Sequence, residues 1–166
     1  MNRHADPEVL YFHPIPDAPT VSQPFGASPE VYARAGMAGH NGIDFEAPVG
    51  TDVFANIDGR VVHAGPGADG RFAWLLGNAA GLTVLILHTI GGRQLITGYA
   101  HLSSVAVALG DTVEGGQLIG RSGATGYVGG PHLHFEAMTL GPGGELDTGN
   151  GYLGRIDPSA LVMPRD

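Results

Sequence analysis

GLTVLILHTIGGRQLITGYAHL, residues 81–102, decides the fold. Two runs rich in Leu, Ile, Val and Thr flank Gly91-Gly92, a strong signal for a hairpin between antiparallel strands. LTVLIL (82–87) is the longest apolar run in the chain and far too short to span a bilayer. Outward from this hairpin the pattern repeats as short strands separated by glycine. IDFEAP (43–48) alternates like a strand, and TDVFANIDGRVVHAG (51–65) reads as two strands around an Asp-Gly turn. VALGDTVEGGQLIGRSG (107–123) reads as another glycine-broken strand pair, and PHLHFEAM (131–138) as one strand. GRIDPSALV closes the domain, and only Pro29–Ala35 suggests a helical turn. The class expected is all-β: a compact, glycine-rich antiparallel sheet or sandwich.

The chain has 166 residues, 28 of them glycine and 12 proline, and no cysteine. One domain is expected over 21–166, preceded by an extended, proline-punctuated leader over 1–20. Disulfides and thiolate metal sites are excluded, so any metal is held by nitrogen and oxygen. The net charge is −8, with no lysine and no basic cluster. That excludes nucleic acid as a partner. A membrane partner is not expected either, and the chain is read as a monomer. MNRHADPEVL has no apolar core of a secretory signal.

The chemistry gathers in three fragments. In GGPHLHFEA (129–137), His132 and His134 are two residues apart and share one face of a strand, with Leu133 and Phe135 on the other. Their roots stand roughly 6 to 7 Å apart, which suits one metal ligand beside one working neighbour. Two polar residues on a solvated face is the competing reading. In GHNGIDFEAPVG, Gly42 argues against a helix between His40 and Asp44 and for a turn into a strand. An imidazole with a carboxylate suits zinc. In GYAHLSS, His101 lies near a strand end. A catalytic zinc site needs three protein ligands and one open position. His40, Asp44 and one histidine of the HxH pair supply three, which leaves two histidines for proton transfer.

HNGID, YAHLSS and GGPHLHFE, in that order within a glycine-rich β chain, resemble the lysostaphin-type (LytM-like) zinc metallopeptidases. The resemblance runs from Gln23-Pro24-Phe25-Gly26 to Ile156-Asp157-Pro158. It implies one Zn2+ held by His40, Asp44 and His134, with His101 and His132 as the catalytic pair. It also implies a groove walled by loops with zinc at its floor. The substrate implied is a peptide stem or cross-bridge of peptidoglycan, cut by an endopeptidase. Together with the missing signal, it suggests a phage endolysin or virion-associated hydrolase, made in the host cytoplasm and released by a holin or carried on the virion. A non-catalytic wall-binding or hydrolase-activating module is the alternative, and the intact set of five residues speaks against it. Tyr127-Val128-Gly129 departs from the small hydroxyl residues that many family members carry before this strand.

The remaining candidates have plainer readings. Glu136 shares the face of His134 and reads as a solvated acid, or else as a hydrogen-bond partner of a ligand histidine. Tyr99, two residues before His101, is placed on its face, either to meet substrate or to pack. His63 and His88 read as satisfied structural histidines, and Asp52, Asp58 and Asp111 as turn residues. Phe72 and Trp74 are candidate groove walls.

Overall fold

The computed structural model describes residues 9–17, 20–67 and 77–162. His4, Phe72 and Trp74 lie outside the described residues. The strands are β1 (Val21–Gln23), β2 (Ile43–Glu46), β3 (Asp52–Phe54), β4 (Gly59–Pro66), β5 (Leu82–Ile90), β6 (Arg93–Val105), β7 (Thr112–Val113), β8 (Leu118–Ser122), β9 (His132–Leu140) and β10 (Arg155–Ile156). Two short helices, α1 (Pro29–Tyr32) and α2 (Ser159–Val162), complete the described regular structure apart from two 3-10 turns. The all-β class is as expected. The strands form one ten-stranded sheet in the order β1-β2-β9-β6-β5-β4-β7, with β10 added to β9 and β8 joining β3 to β6.

The β5–β6 hairpin around Gly91 and Gly92 forms as the sequence predicts, with both glycines at positive φ (55° and 77°). Two other expected pairings do not form. β3 pairs with β8, while β4 pairs with β5 along its length and with β7 at its start. Eight-residue β4 matches nine-residue β5 in length, and three-residue β3 cannot compete for it. The two turns expected to close those hairpins are instead tied to each other: Gly115 N donates to Asp58 Oδ1 at 2.7 Å.

Alternation along the central strands buries both faces. Val84, Ile86, Tyr99, Leu133 and Phe135 join the main core, to which Val53 of β3 and Ile119 of β8 also belong. Leu85, Ile96 and Met138 form a smaller cluster. The stretch read as a leader sends Ile15 into the main core, and Phe12 N and Asn56 O share a 2.8 Å bond. His88 is buried as a structural histidine, bonded to the Asp58 carbonyl at 2.7 Å and to Thr97 Oγ1 at 2.8 Å.

Candidate metal centre

Three adjacent strands build the centre. On β2 and β9, Asp44 lies directly opposite His134, and Glu46 opposite His132. Ala100 of β6 faces His134 from the other side, and Gly98 faces Glu136. Those small residues leave a hollow: a Cβ on Gly98 would stand 2.7 Å from Glu136 Cγ. His40 arrives from a loop held by paired backbone bonds, Gly26 N to His40 O at 2.7 Å and His40 N to Ala27 O at 2.9 Å. Gly42 is needed where the chain turns into β2, because a Cβ there would meet His134 Cε1 at 2.5 Å and Phe135 O at 2.6 Å.

Three donor atoms converge. His134 Nδ1 is 3.0 Å from Asp44 Oδ1 and 3.2 Å from His40 Nε2, and His40 Nε2 is 3.3 Å from Asp44 Oδ1. Zinc at about 2.0–2.1 Å from tetrahedral ligands sets them about 3.3 Å apart. The spacing of these three donors therefore fits one zinc ion. The rings are oriented for it. His40 Nδ1 bonds the Pro24 carbonyl at 3.2 Å, which leaves Nε2 for the metal. His134 Nε2 bonds Glu136 Oε2 at 3.1 Å, which leaves Nδ1.

The other two histidines stand beside this set. His101 and His132 meet edge to face with ring centroids 4.9 Å apart, and His101 lies 6.1 Å from His134. His101 Nδ1 donates to Thr125 O and His132 Nδ1 to Gly130 O, each at 2.9 Å, which puts the lone pair of the neutral imidazole form on Nε2 in each case. A groove of about 570 Å³ opens over the centre, walled by Val31, Tyr32, Arg34, Met37 and Tyr127 among others. All five residues expected at the site are thus brought together.

The family described as Peptidase family M23 matches residues 38–147, a span that holds all five. The chain belongs to peptidase family M23. The catalytic domain of lysostaphin from Staphylococcus simulans superposes on the M23 chain with a TM-score of 0.59 at 31% identity, over 75% of this chain and 80% of that one. A zinc-containing peptidase from Vibrio cholerae superposes with a TM-score of 0.67 at 26% identity, over 95% of this chain and 40% of that one. Among curated relatives, the peptidoglycan DD-endopeptidase ShyA of Vibrio cholerae is 43% identical over 105 residues, 63% of this chain and 21% of its own. The glycyl-glycine endopeptidase ALE-1 of Staphylococcus capitis is 45% identical over 100 residues, 60% of this chain and 25% of its own. The M23 chain thus spans a quarter or less of these two relatives.

Two expectations are corrected. Glu136 of this M23 centre is not a solvated acid: it is 1% exposed, bonded to His134 and, through Oε1, to Arg155 Nη2 at 3.1 Å. Burial raises its pKa, but the Arg155 charge and the His134 bond outweigh that and hold it down to about 2. Tyr99 does not share the face of His101. It is wholly buried, and its hydroxyl accepts from Asn56 N at 2.8 Å. The alternation breaks because His101 has φ 61°, a left-handed backbone, where β6 leaves β9 and takes up β8. Arg155 was not marked by the sequence at all; GRIDP carries no signal that its arginine reaches back to β9.

The charges follow from these contacts. Burial disfavours the Asp44 carboxylate, yet hydrogen bonds from His134 and His40 win and hold its pKa well below the usual range. Burial lowers His134, but its bonds to Asp44 and Glu136 outweigh that and raise it to about 9. Burial, helped by the charge of His134, pushes His101 down to about 4, so its ring is neutral at neutral pH.

Proposed function

We propose that this chain is a zinc-dependent endopeptidase that hydrolyses peptide bonds of bacterial peptidoglycan, with His40, Asp44 and His134 holding the metal and His101 and His132 handling protons. One observation carries the reading: three donors 3.0–3.3 Å apart at a groove floor, with two further neutral-capable rings beside them. Bound there, zinc supplies Lewis-acid activation of a water and of the scissile carbonyl. Two neutral histidines and one carboxylate leave about one positive charge of a divalent ion uncompensated, which favours a developing oxyanion.

In their neutral forms His101 and His132 present the lone pair of Nε2 because each Nδ1–H is committed to a backbone carbonyl. Either can take the proton from water and return it to the leaving amine. His132 Nε2 itself lies 3.5 Å from Asp44 Oδ2, so this ring stands directly beside the proposed metal ligands. Burial opposes a charge on His101, which suits it to give up a proton quickly. The intact five-residue set favours catalysis over a purely binding module. The wall peptide as substrate is carried over from relatives described as peptidoglycan and glycyl-glycine endopeptidases. The site of action is then the cell wall. No described helix is long and apolar enough to cross a membrane.

The test pairs activity with metal content. Purified walls are expected to clear, to stop clearing with a chelator and to clear again with zinc. His134→Ala is expected to lose both zinc and activity. His101→Ala and His132→Ala are expected to keep zinc and lose activity. Full zinc in His134→Ala would sink the ligand assignment, and intact walls with zinc bound would sink the substrate. Mass spectrometry of released muropeptides identifies the bond cut, whether a glycyl bridge or a stem peptide.

A further inference from the structure

The segment 150–155 lies beyond the matched span, which ends at residue 147, yet it touches both chain segments that present the metal ligands. Asn150 folds it on itself: its Oδ1 accepts from Tyr152 N at 2.9 Å and Gly154 N at 3.0 Å, and its Nδ2 donates to Arg155 O at 2.8 Å. On one side, Gly151 O accepts from Ala38 N at 2.7 Å, two residues before His40. Tyr152 stacks on Phe25 with centroids 4.4 Å apart, next to Gly26, which bonds the His40 carbonyl. On the other side, Arg155 pairs with Met138 of β9 and sends its guanidinium to Glu136.

Both terminal nitrogens of the guanidinium are placed by bonds. Nη1 donates to Leu153 O at 2.8 Å, while Nη2 donates to Glu136 Oε1 at 3.1 Å. The other carboxylate oxygen of Glu136 receives His134 Nε2–H at 3.1 Å. Arg155 and Glu136 are each 1% exposed. A buried ion pair is a poor way to gain stability, since packed apolar residues of similar volume do as well. Its placement one hydrogen bond from a ligand ring gives it another role.

We propose that residues 150–155 form an outer clamp on the metal centre. Arg155 acts through Glu136 to keep the proton of His134 on Nε2 and its Nδ1 turned to the metal. Arg155 and Glu136 are positioning residues, and neither meets substrate. The proposal rests on His134 being a zinc ligand. Partners of ligand histidines are worth roughly 10–100-fold in metal affinity.

The test separates positioning from folding. Zinc affinity is measured by competition with a chromophoric chelator, and the melting temperature of the zinc-free protein is measured alongside. Arg155→Met strands the Glu136 charge and is expected to lower both. The double variant Glu136→Met/Arg155→Met removes both charges. It is expected to regain melting temperature while zinc affinity stays 10–100-fold below wild type. Zinc affinity that recovers with melting temperature overturns the clamp, as does wild-type affinity in Arg155→Met.

A second measurement needs no variant. Nitrogen-15 NMR of the zinc-loaded wild type is expected to show a slowly exchanging proton on Nε2 of His134. A proton on Nδ1 overturns the proposal. Wild-type protein that takes up no zinc overturns the ligand reading itself. Zinc uptake unaltered across the variants overturns the clamp alone.

Discussion

His101 reaches His132 ring to ring, 4.9 Å between centroids, only because its own backbone is left-handed at φ 61°. Regular alternation would turn it away, since it is Ala100 that lies opposite His134. A non-glycine residue in this conformation is costly and clusters at working sites.

That strain separates ring from backbone. His101→Asn and His101→Val both remove the imidazole, and both are expected to lower kcat/KM on the order of 10²–10⁴-fold. Asn tolerates the left-handed region, whereas a β-branched residue does not. His101→Val is therefore expected to be less stable than His101→Asn by roughly 1–2 kcal/mol in urea. Equal stabilities would count against strain at this position.

Gly42→Ala tests the close approach of the turn to the ligand ring. The added methyl meets ring and backbone atoms of β9, at 2.5 Å from His134 Cε1 and 2.6 Å from Phe135 O. The strand cannot yield, so His134 must move. Zinc affinity is expected to fall at least about 10-fold in a chelator competition, comparable to losing a partner of a ligand histidine. Unchanged affinity would show that β2 shifts freely against β9.

Tyr99→Phe tests the buried tyrosine. Its hydroxyl accepts from Asn56 N at 2.8 Å and exchanges a bond with Thr97 Oγ1 at 3.0 Å. Removing it strands buried partners and is expected to cost about 1–3 kcal/mol in chemical denaturation. kcat/KM at a permissive temperature is expected to stay at the wild-type level. A kinetic loss without a stability loss would return Tyr99 to the substrate side.

The chelated protein is expected to lose stability as pH rises. The folded pKa of His134 is raised to about 9, its bonds to Asp44 and Glu136 outweighing burial. Its contribution is complete below the unfolded value of about 6.5 and is lost as pH climbs through about 9. The scale is on the order of 3 kcal/mol. Glu136 runs the other way, its contribution present above its ordinary value of 4.5 and lost as pH falls through about 2. Urea unfolding at several pH values, with chelator and with zinc, reads this. If His134 ligates zinc as proposed, its ring is neutral in the loaded protein, which is then expected to lack the alkaline decline. A flat profile for the chelated protein would contradict the raised pKa of His134.

Tyr127, 84% exposed on the groove wall, is placed to meet substrate and contributes nothing to the core. Tyr127→Ala is expected to raise KM several-fold with kcat and melting temperature unchanged, the signature of lost uniform binding. A fall in kcat alone would place it nearer the chemistry.

Much of this centre was legible in sequence, for a definite reason. Within an unbroken strand, residues two apart share a face, so His132 and His134 were placed together and Leu133 and Phe135 sent to the core, as observed. A glycine between His40 and Asp44 signalled a turn into a strand, and the close approach of Gly42 to His134 is why it must be glycine. The same rule misplaced Tyr99 beside His101, because a change of strand partner around Leu102 leaves no mark in the local pattern. It puts Glu136 on the face of His134 but does not choose between solvent and a bond to that ring, because its cover is Arg155, which follows 19 residues later.

The sequence alone determined the strand class, the central hairpin, the donor types and the shared face of the two histidines on β9. These follow from period, glycine placement and the absence of cysteine, all local properties of the chain. The tertiary structure alone decided which nitrogen each ring presents, how His101 turns back to the site, and what holds Glu136. Those depend on carbonyls at Pro24, Thr125 and Gly130 and on a guanidinium from the closing segment. No periodicity encodes such contacts, because they arise only when distant strands share one sheet.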